Sequence, residues 1–228
     1  LMAQDVESID IVKRYEKTLP VRLTLIESKP SPGAARNILI QKSNAKYLFF
    51  LDDDATLPKN YLSDLEDLNI EFDILGGTDS SNSRSLDQDV LGLILANKWI
   101  MGPTAARHNV GEDLIKNVDE TQLTSCHLWI RRNFLIENEL KFPENLGRCE
   151  ENILLSNMLE KGAKSYLYKK LTVYHERREG FYKQASIQFH SGYYRGYVMS
   201  FHSAMRKKFF LIPALYPAYI SFFVLPIL

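Results

Sequence analysis

This chain has little cysteine and no surplus of charge of either sign. Its only two cysteines, Cys126 and Cys149, form neither a metal-binding spacing nor a disulfide framework, and they read as reduced, structural thiols. Lys and Arg number 28, as do Asp and Glu, so the formal net charge is zero. That balance excludes a nucleic-acid binder whose affinity rests on overall positive charge. The chain starts Leu1-Met2-Ala3-Gln4, with no basic stretch leading into an apolar one, so no signal peptide is visible. There is no internal repeat and no low-complexity tract. What remains is 228 residues, 45% hydrophobic and 25% charged, which suits one α/β domain with a substantial core.

The most informative stretch is Tyr47-Leu48-Phe49-Phe50-Leu51-Asp52-Asp53-Asp54. An apolar run without polar alternation reads as a strand buried on both faces. The acids sit where that strand leaves its sheet, which is where open α/β sheets bind ligands. Three adjacent carboxylates repel one another, and a hard divalent cation relieves the repulsion. The competing reading is a solvated turn in which Asp54 or Thr56 caps a helix over 58–68, with Pro58 in its first turn. An EF-hand is excluded, because Leu57 stands where the sharp-turn glycine belongs and Ser63 where the bidentate Glu belongs.

Along the chain, 8–17 reads as the end of an amphipathic helix and 21–27 as an alternating strand. A turn-rich loop at 29–33 precedes a helix over 34–43. A short strand over 72–77 ends in glycines, and the Ser- and Asn-rich stretch 78–84 reads as a mobile loop. A helix over 86–99 should place Val90, Leu91, Ile94 and Leu95 on one side. Residues 102–121 are polar and give no assignment. A strand over 122–130 and a helix over 151–161, stopped by Gly162, follow. One or two short strands over 165–174 and an aromatic-rich helix over 181–206 complete the pass. Alternating strands and helices predict a mostly parallel sheet.

Three patches then fall in order: Gly33-Ala34-Ala35-Arg36-Asn37, Phe50-Leu51-Asp52-Asp53-Asp54, and Glu150-Glu151-Asn152-Ile153-Leu154, the last followed by Gly162 and by Val173-Tyr174-His175. This series resembles the family 2 glycosyltransferases of GT-A fold. Their pattern is a G-x-A-R-N helix start, an Asp-x-Asp motif after a strand, a G-E-D-x-x-L-like helix start and a late "vyH". The resemblance covers residues 5–200. It implies a GT-A-like, mostly parallel sheet flanked by helices, a nucleotide-diphospho-sugar donor (a UDP-sugar first), a Mn²⁺ or Mg²⁺ ion, and inversion at the anomeric carbon.

Carried over residue by residue, the resemblance implies Asp52 near the ribose or metal and Asp54 as direct metal ligand. Asp53 is the variable middle position on the cofactor side. Arg36 would approach the nucleotide or its phosphates, Asn37 would cap or hold the Asp-bearing strand end, and Gly33 would let backbone approach the anion closely. Glu151 aligns with the catalytic Asp, and Glu150 with the acidic residue before it. Glu replaces the commoner Asp, and Cys149 replaces the usual Gly. His175 would complete the metal shell. His127 falls at an acceptor-side position, Arg177, Arg178 and Arg195 could touch phosphates, and Trp99 and Trp129 could stack sugars or pack the core. The family's first strand–helix–strand unit is largely missing, with Asp5 a possible remnant.

The C-terminus differs from the rest. Phe209 to Leu228 contains no charged residue, and Arg206-Lys207-Lys208 precedes it. A helix of that length, at ~1.5 Å per residue, would cross a ~30 Å hydrocarbon core. Pro213, Pro217 and Pro226 would kink it, so a span, a re-entrant segment and an interfacial helix all stay open. The organisation expected is a transferase domain over 1–200 and a membrane-associated segment over 201–228, at the cytoplasmic face of a membrane. The function expected is sugar transfer to a glycan or lipid-linked acceptor, with no nucleic acid involved. A sugar nucleotidylyltransferase or a non-catalytic transferase-like subunit of a membrane complex are the alternatives.

Overall fold

Strand geometry divides the apolar run at 47–51 between two cores. The computed structural model describes residues 13–15, 30–80, 83, 85–175, 181–212 and 215. The strand expected at 21–27, most of the helix at 8–17, Asp5, Arg177, Arg178 and most of the apolar C-terminal run lie outside the described residues.

The described chain begins with α1 (Pro32–Lys42), β1 (Tyr47–Leu51), β2 (Ala55–Thr56), α2 (Tyr61–Asp67), β3 (Ile74–Ser80), α3 (Leu86–Ala96) and α4 (Lys98–Met101). A 3₁₀ turn (Gly102–His108), β4 (Leu114–Lys116), β5 (His127–Arg131), α5 (Arg132–Glu137), α6 (Glu150–Glu160), β6 (Ser165–His175) and α7 (Phe181–Phe201) follow. Two short 3₁₀ turns, Ser203–Met205 and Lys208–Leu211, come after α7. The strands form one sheet in the order β1-β5-β3-β6-β2, with β4 also paired to β6.

The expected α/β architecture is present. The sheet is mixed rather than mostly parallel: β1, β3 and β6 run the same way, but four of the five described strand pairings are antiparallel. β3 and β6 pair directly in parallel, while β5 is inserted antiparallel between β1 and β3.

On one face, Leu48 and Phe50 of β1 pack with Ile74, Leu128, Ile130 and Leu167, beneath Ile40 of α1, Phe134 and Leu135 of α5, and Leu154, Leu155 and Met158 of α6. On the other, Tyr47, Phe49 and Leu51 pack with Leu75, Leu171 and Val173 beneath Tyr61 and Leu65 of α2. Period-two alternation therefore serves two apolar faces, as the unbroken apolar run requires. β1 stands at one end of the described sheet, which leaves each of its residues half-buried rather than fully enclosed.

Several expectations shift for identifiable reasons. The helix after the acids starts at Tyr61, with Asn60 at its N-cap, so neither Asp54 nor Thr56 caps it. The helix expected over 86–99 breaks at Asn97, whose side chain accepts from the Trp99 N–H and starts α4. Val90 and Ile94 are exposed and only Leu95 of the expected stripe is fully buried. Trp99 is 87% exposed, whereas Trp129 stacks on Phe49 with ring centroids 4.3 Å apart. The strand expected over 122–130 is confined to its second half, and 165–175 is one long strand instead of two short ones.

The strand expected to end at its glycines instead runs through them to Ser80. A Cβ on Gly77 would lie 1.9 Å from His127 Cε1 and 2.1 Å from the Leu171 carbonyl oxygen. His127 is wholly buried there. Its Nε2 pairs with the Tyr61 hydroxyl at 2.6 Å and its Nδ1 with the Thr78 carbonyl at 3.2 Å. The glycine thus lets an imidazole pass under β3, and His127 belongs to the core rather than to an acceptor site. Burial lowers the pKa of His127 to about 4.

Gly77→Ala should therefore destabilise the fold by about 3 kcal/mol or more, because backbone as well as imidazole blocks the new methyl. Urea unfolding of the two proteins measures it; a midpoint unchanged from wild type would contradict the packing described.

Candidate functional site

The carboxyl ends of β1, β3 and β6 meet at a cavity of about 430 Å³. It is lined by Asp52, Asp53, Asp54, Asp79, Leu91, Leu95, Arg148, His175, Gln184 and Ile187. β1 delivers the acids: the chain turns after Leu51, with the Ala55 N–H bonded to the Asp52 carbonyl at 3.1 Å. β2 then pairs with the end of β6, setting Ala55 opposite His175. This short antiparallel bridge carries the late histidine back onto the acid turn.

His175 Nε2 lies 2.8 Å from Asp54 Oδ1 and 4.0 Å from Asp52 Oδ2. One ligand atom from each of Asp52, Asp54 and His175 can be chosen so that all lie within 4.8 Å of one another. Two carboxylates and an imidazole form a donor set that fits Mn²⁺ or Mg²⁺, the imidazole leaning toward Mn²⁺. Burial pushes the Asp52 carboxyl above its ordinary range; His175 and Arg36 oppose the push and Asp54 and Asp53 add to it. A bound cation would reverse that cost. Asp53 is exposed beside the pair and lines the cavity without joining the cluster.

Arg36 points from α1 across to α6. Its Nη1 meets Glu150 Oε1 at 2.5 Å, and its guanidinium lies over the Phe142 ring. Glu150 is buried, and its Oε2 has no hydrogen-bond partner among the described residues. Glu151 follows at the first turn of α6, half-buried. Its pKa is raised, first by burial and then by Glu150, while Arg36 and Arg107 oppose.

The residue before this pair, Cys149, has φ +66°, a left-handed conformation that favours glycine. The glycine that the resemblance places here would take that conformation without strain, where this chain has a cysteine.

Gly33 and Asn37 face elsewhere. A Cβ on Gly33 would sit 2.0 Å from the Pro143 carbonyl oxygen, so the close approach there is by the protein's own chain. Asn37 is buried; its Nδ2 donates to the Phe142 carbonyl at 2.9 Å and to Glu144 Oε1 at 2.8 Å, and its Oδ1 accepts from the Phe142 N–H at 2.9 Å. It clamps the loop before α6 rather than the Asp-bearing strand end. Arg195 likewise turns inward, 3.7 Å from buried Glu120 and stacked over Phe210.

Three residues at this site escape a reading by motif. Asp79, at the end of β3, lines the cavity and is paired with His108 Nδ1. Arg107 stands half-buried beside them, with Nη1 donating to the Leu123 carbonyl at 3.2 Å, and it feels the charges of both Asp79 and Glu151. Asp79 carried a weak signal: it follows a short apolar strand start, Ile74-Leu75, through Gly76-Gly77-Thr78. Arg107 and His108 lie in the unassigned polar stretch and carried none.

The raised Glu151 carboxyl has a stability consequence. The folded chain holds this proton more tightly than the unfolded chain, so ionising Glu151 weakens folding. Glu151→Gln should raise the melting temperature at pH 7 to 8. The advantage should shrink as pH falls and vanish below the ordinary value of 4.5, where both states are protonated. Thermal unfolding of both proteins from pH 4 to pH 8 checks the sign; a Gln variant less stable at pH 8 would contradict it.

Comparison with known proteins adds to this geometry. Residues 6–83 match the family described as Glycosyl transferase family 2. No curated protein matches the sequence. Among solved structures, S. aureus TarS 1-349 in complex with UDP-GlcNAc superposes with TM-score 0.53 at 18% identity, covering 76% of this chain and 47% of that one. Mannosyltransferase PcManGT from Pyrobaculum calidifontis, in complex with GDP-Man and Mn²⁺, gives TM-score 0.58 at 16% identity, over 97% of this chain and 59% of that one. GalNAc-T7 with UDP, GalNAc and Mn²⁺ gives 0.51 at 12%, over 76% and 35%. At these identities the likeness is one of fold, and this chain spans about half the length of TarS 1-349. Matched over 6–83 by sequence and over most of its length by fold, the chain resembles the family 2 glycosyltransferases of GT-A type.

Proposed function

We propose that this chain is the donor-binding and catalytic part of a metal-dependent, inverting glycosyltransferase. It would move a sugar from a nucleotide-diphospho-sugar to a glycan or lipid-linked acceptor. The observation that carries this reading is the meeting of Asp52, Asp54 and His175 at a strand-end cavity, on a fold shared with nucleotide-sugar-bound structures. Mn²⁺ bound at the triad would neutralise the charge that develops on the departing nucleoside diphosphate.

Glu151 is the group we assign as base. It takes the proton of the acceptor hydroxyl as that oxygen bonds to the anomeric carbon, while the carbon–oxygen bond to the diphosphate breaks on the opposite face. Inversion follows from that geometry. Burial raises the Glu151 carboxyl above its ordinary value, which makes it a stronger base toward the acceptor proton. Arg36 has a second task in this reading: by pairing with Glu150 it stops two adjacent carboxylates from competing for one proton. A UDP-sugar is the first donor to test, with GDP-sugars beside it.

The two-part organisation, a transferase over 1–200 and a membrane-associated segment over 201–228 at a cytoplasmic face, belongs to the same proposal. Among the described residues no helix is long and apolar enough to cross a membrane. The support is surface chemistry. Phe189, Tyr193, Tyr197 and Phe201 recur every fourth residue on α7 and are all exposed, and Arg206 and Lys208 lie just beyond. An aromatic face with basic residues at its end suits a lipid interface and a lipid-linked acceptor.

The test is titration with UDP- and GDP-sugars, with and without Mn²⁺, followed by donor turnover. Asp54→Ala should abolish Mn²⁺-dependent binding. Glu151→Gln should bind donor nearly as wild type and lose ~10²–10⁴-fold in turnover. Wild-type protein that binds no nucleotide in the presence of Mn²⁺ would refute the transferase reading.

A further inference from the structure

The cavity has a fourth acid that the metal cluster does not use. Asp79 lies on β3 opposite Val173 of β6, two residues before His175 on the neighbouring parallel strand. With strands ~4.8 Å apart and a rise of ~3.3 Å per residue, its Cα lies about 8 Å from that of the metal-cluster histidine, on the same face of the sheet. That is the scale separating a diphosphate from the hydroxyls of the sugar it carries.

Its surroundings hold it still. Gly77 is wedged between His127 and the Leu171 carbonyl, and the Thr78 hydroxyl meets the Thr172 hydroxyl at 2.8 Å. His108 Nδ1 pairs with one Asp79 carboxylate oxygen, and the two side chains are 13% and 14% exposed. Nearby, half-buried Arg107 supplies positive charge. Leu91, Leu95 and Ile187 supply apolar surface to the same cavity. A rigid, oriented carboxylate in a cavity with apolar lining is how a protein recognises one pattern of hydroxyl groups on a ring.

We infer that Asp79, oriented by His108, grips hydroxyl groups of the donor sugar and sets which sugar this chain accepts. The inference rests on the transferase reading and adds to it the residue that selects the donor. A carboxylate accepts hydrogen bonds from O–H groups, and Asp79's place beyond the metal cluster sets it toward the sugar. A sugar whose hydroxyl is absent or inverted forgoes that hydrogen bond in a partly dry site, which is a ground for rejection. His108 acts through Asp79 and is a positioning residue.

Calorimetric titration in Mn²⁺ tests this, using UDP, UDP-glucose, UDP-GlcNAc, GDP and GDP-mannose. The readout is how much tighter each nucleotide-sugar binds than its own nucleoside diphosphate. Asp79→Asn should weaken the best donor by ~10- to 100-fold, leave the matching nucleoside diphosphate within about two-fold, and flatten the preference among sugars. His108→Ala should move the same quantity in the same direction, and His108→Gln, which keeps a donor, should recover part of it. Donor binding unchanged in Asp79→Asn, with turnover alone lost, would overturn the proposal by making Asp79 part of the chemistry. Equal weakening of nucleotide and nucleotide-sugar in both the Asp79 and His108 variants would overturn it by making the pair structural. No Mn²⁺-dependent binding of UDP or GDP to wild type would instead refute the transferase reading itself, and this proposal with it.

Discussion

Like charge gathered at one end of a sheet is the constraint to which the rest of this molecule answers. Asp52, Asp53, Asp54 and Asp79 line one cavity at strand ends, and the Glu150–Glu151 pair opens α6 outside its lining, linked to it through the charges of Arg36 and Arg107. Left together they would repel. A few partners from distant parts of the chain hold them: Arg36 on Glu150, His108 on Asp79, His175 on Asp54, with half-buried Arg107 feeling the charges of both Asp79 and Glu151. The compensation is incomplete. Asp52 and Glu151 both keep a raised pKa, and Glu150 keeps an oxygen with no hydrogen-bond partner among the described residues. Residual cost of this kind is what a site built for a cation and an anionic substrate would carry before either arrives.

The fold supplies the rigidity such a site needs. β3 and β6 form the spine, packed on both faces, and the end of each carries a polar side chain into the cavity. The glycines of β3 are part of that design, since they let His127 cross under the strand and lock it to Tyr61. On the other side, Asn37 ties α1 to the loop that leads into α6, so the distance from Arg36 to Glu150 is set by backbone hydrogen bonds as well as by their own attraction. α7 is tied in through Arg195 and Glu120, and through His202, whose Nε2 meets Asn157 at 2.9 Å. Its outer face is left aromatic and exposed.

Much of this was legible in the chain. An apolar run ending in acids announces a strand end, whatever surrounds it, because the backbone has few ways to bury five apolar residues and then solvate three carboxylates. Gly162 stopping α6, with φ +83°, is similarly local. Other expectations failed where tertiary contact overrode local pattern. Gly76 and Gly77 read as the end of a strand, yet they are the place where another side chain passes. Trp99, for which core packing was one reading, is exposed with Lys98 over its ring, and Val90 and Ile94 of the stripe expected on one side of its helix are exposed too. Gly33 read as an anion cradle, yet Pro143 occupies that space.

The sequence by itself determined the alternation of elements, the two-faced apolar strand, the acids at its end and the paired glutamates opening a helix, since each depends on neighbours within a few residues. Only the tertiary structure decided which charges meet. Arg36 with Glu150 and His108 with Asp79 join residues far apart in the chain. No local period encodes such a pair: it exists because β5 inserts antiparallel and β6 returns beside β3, and electrostatic attraction then acts over the few ångströms that strand packing leaves.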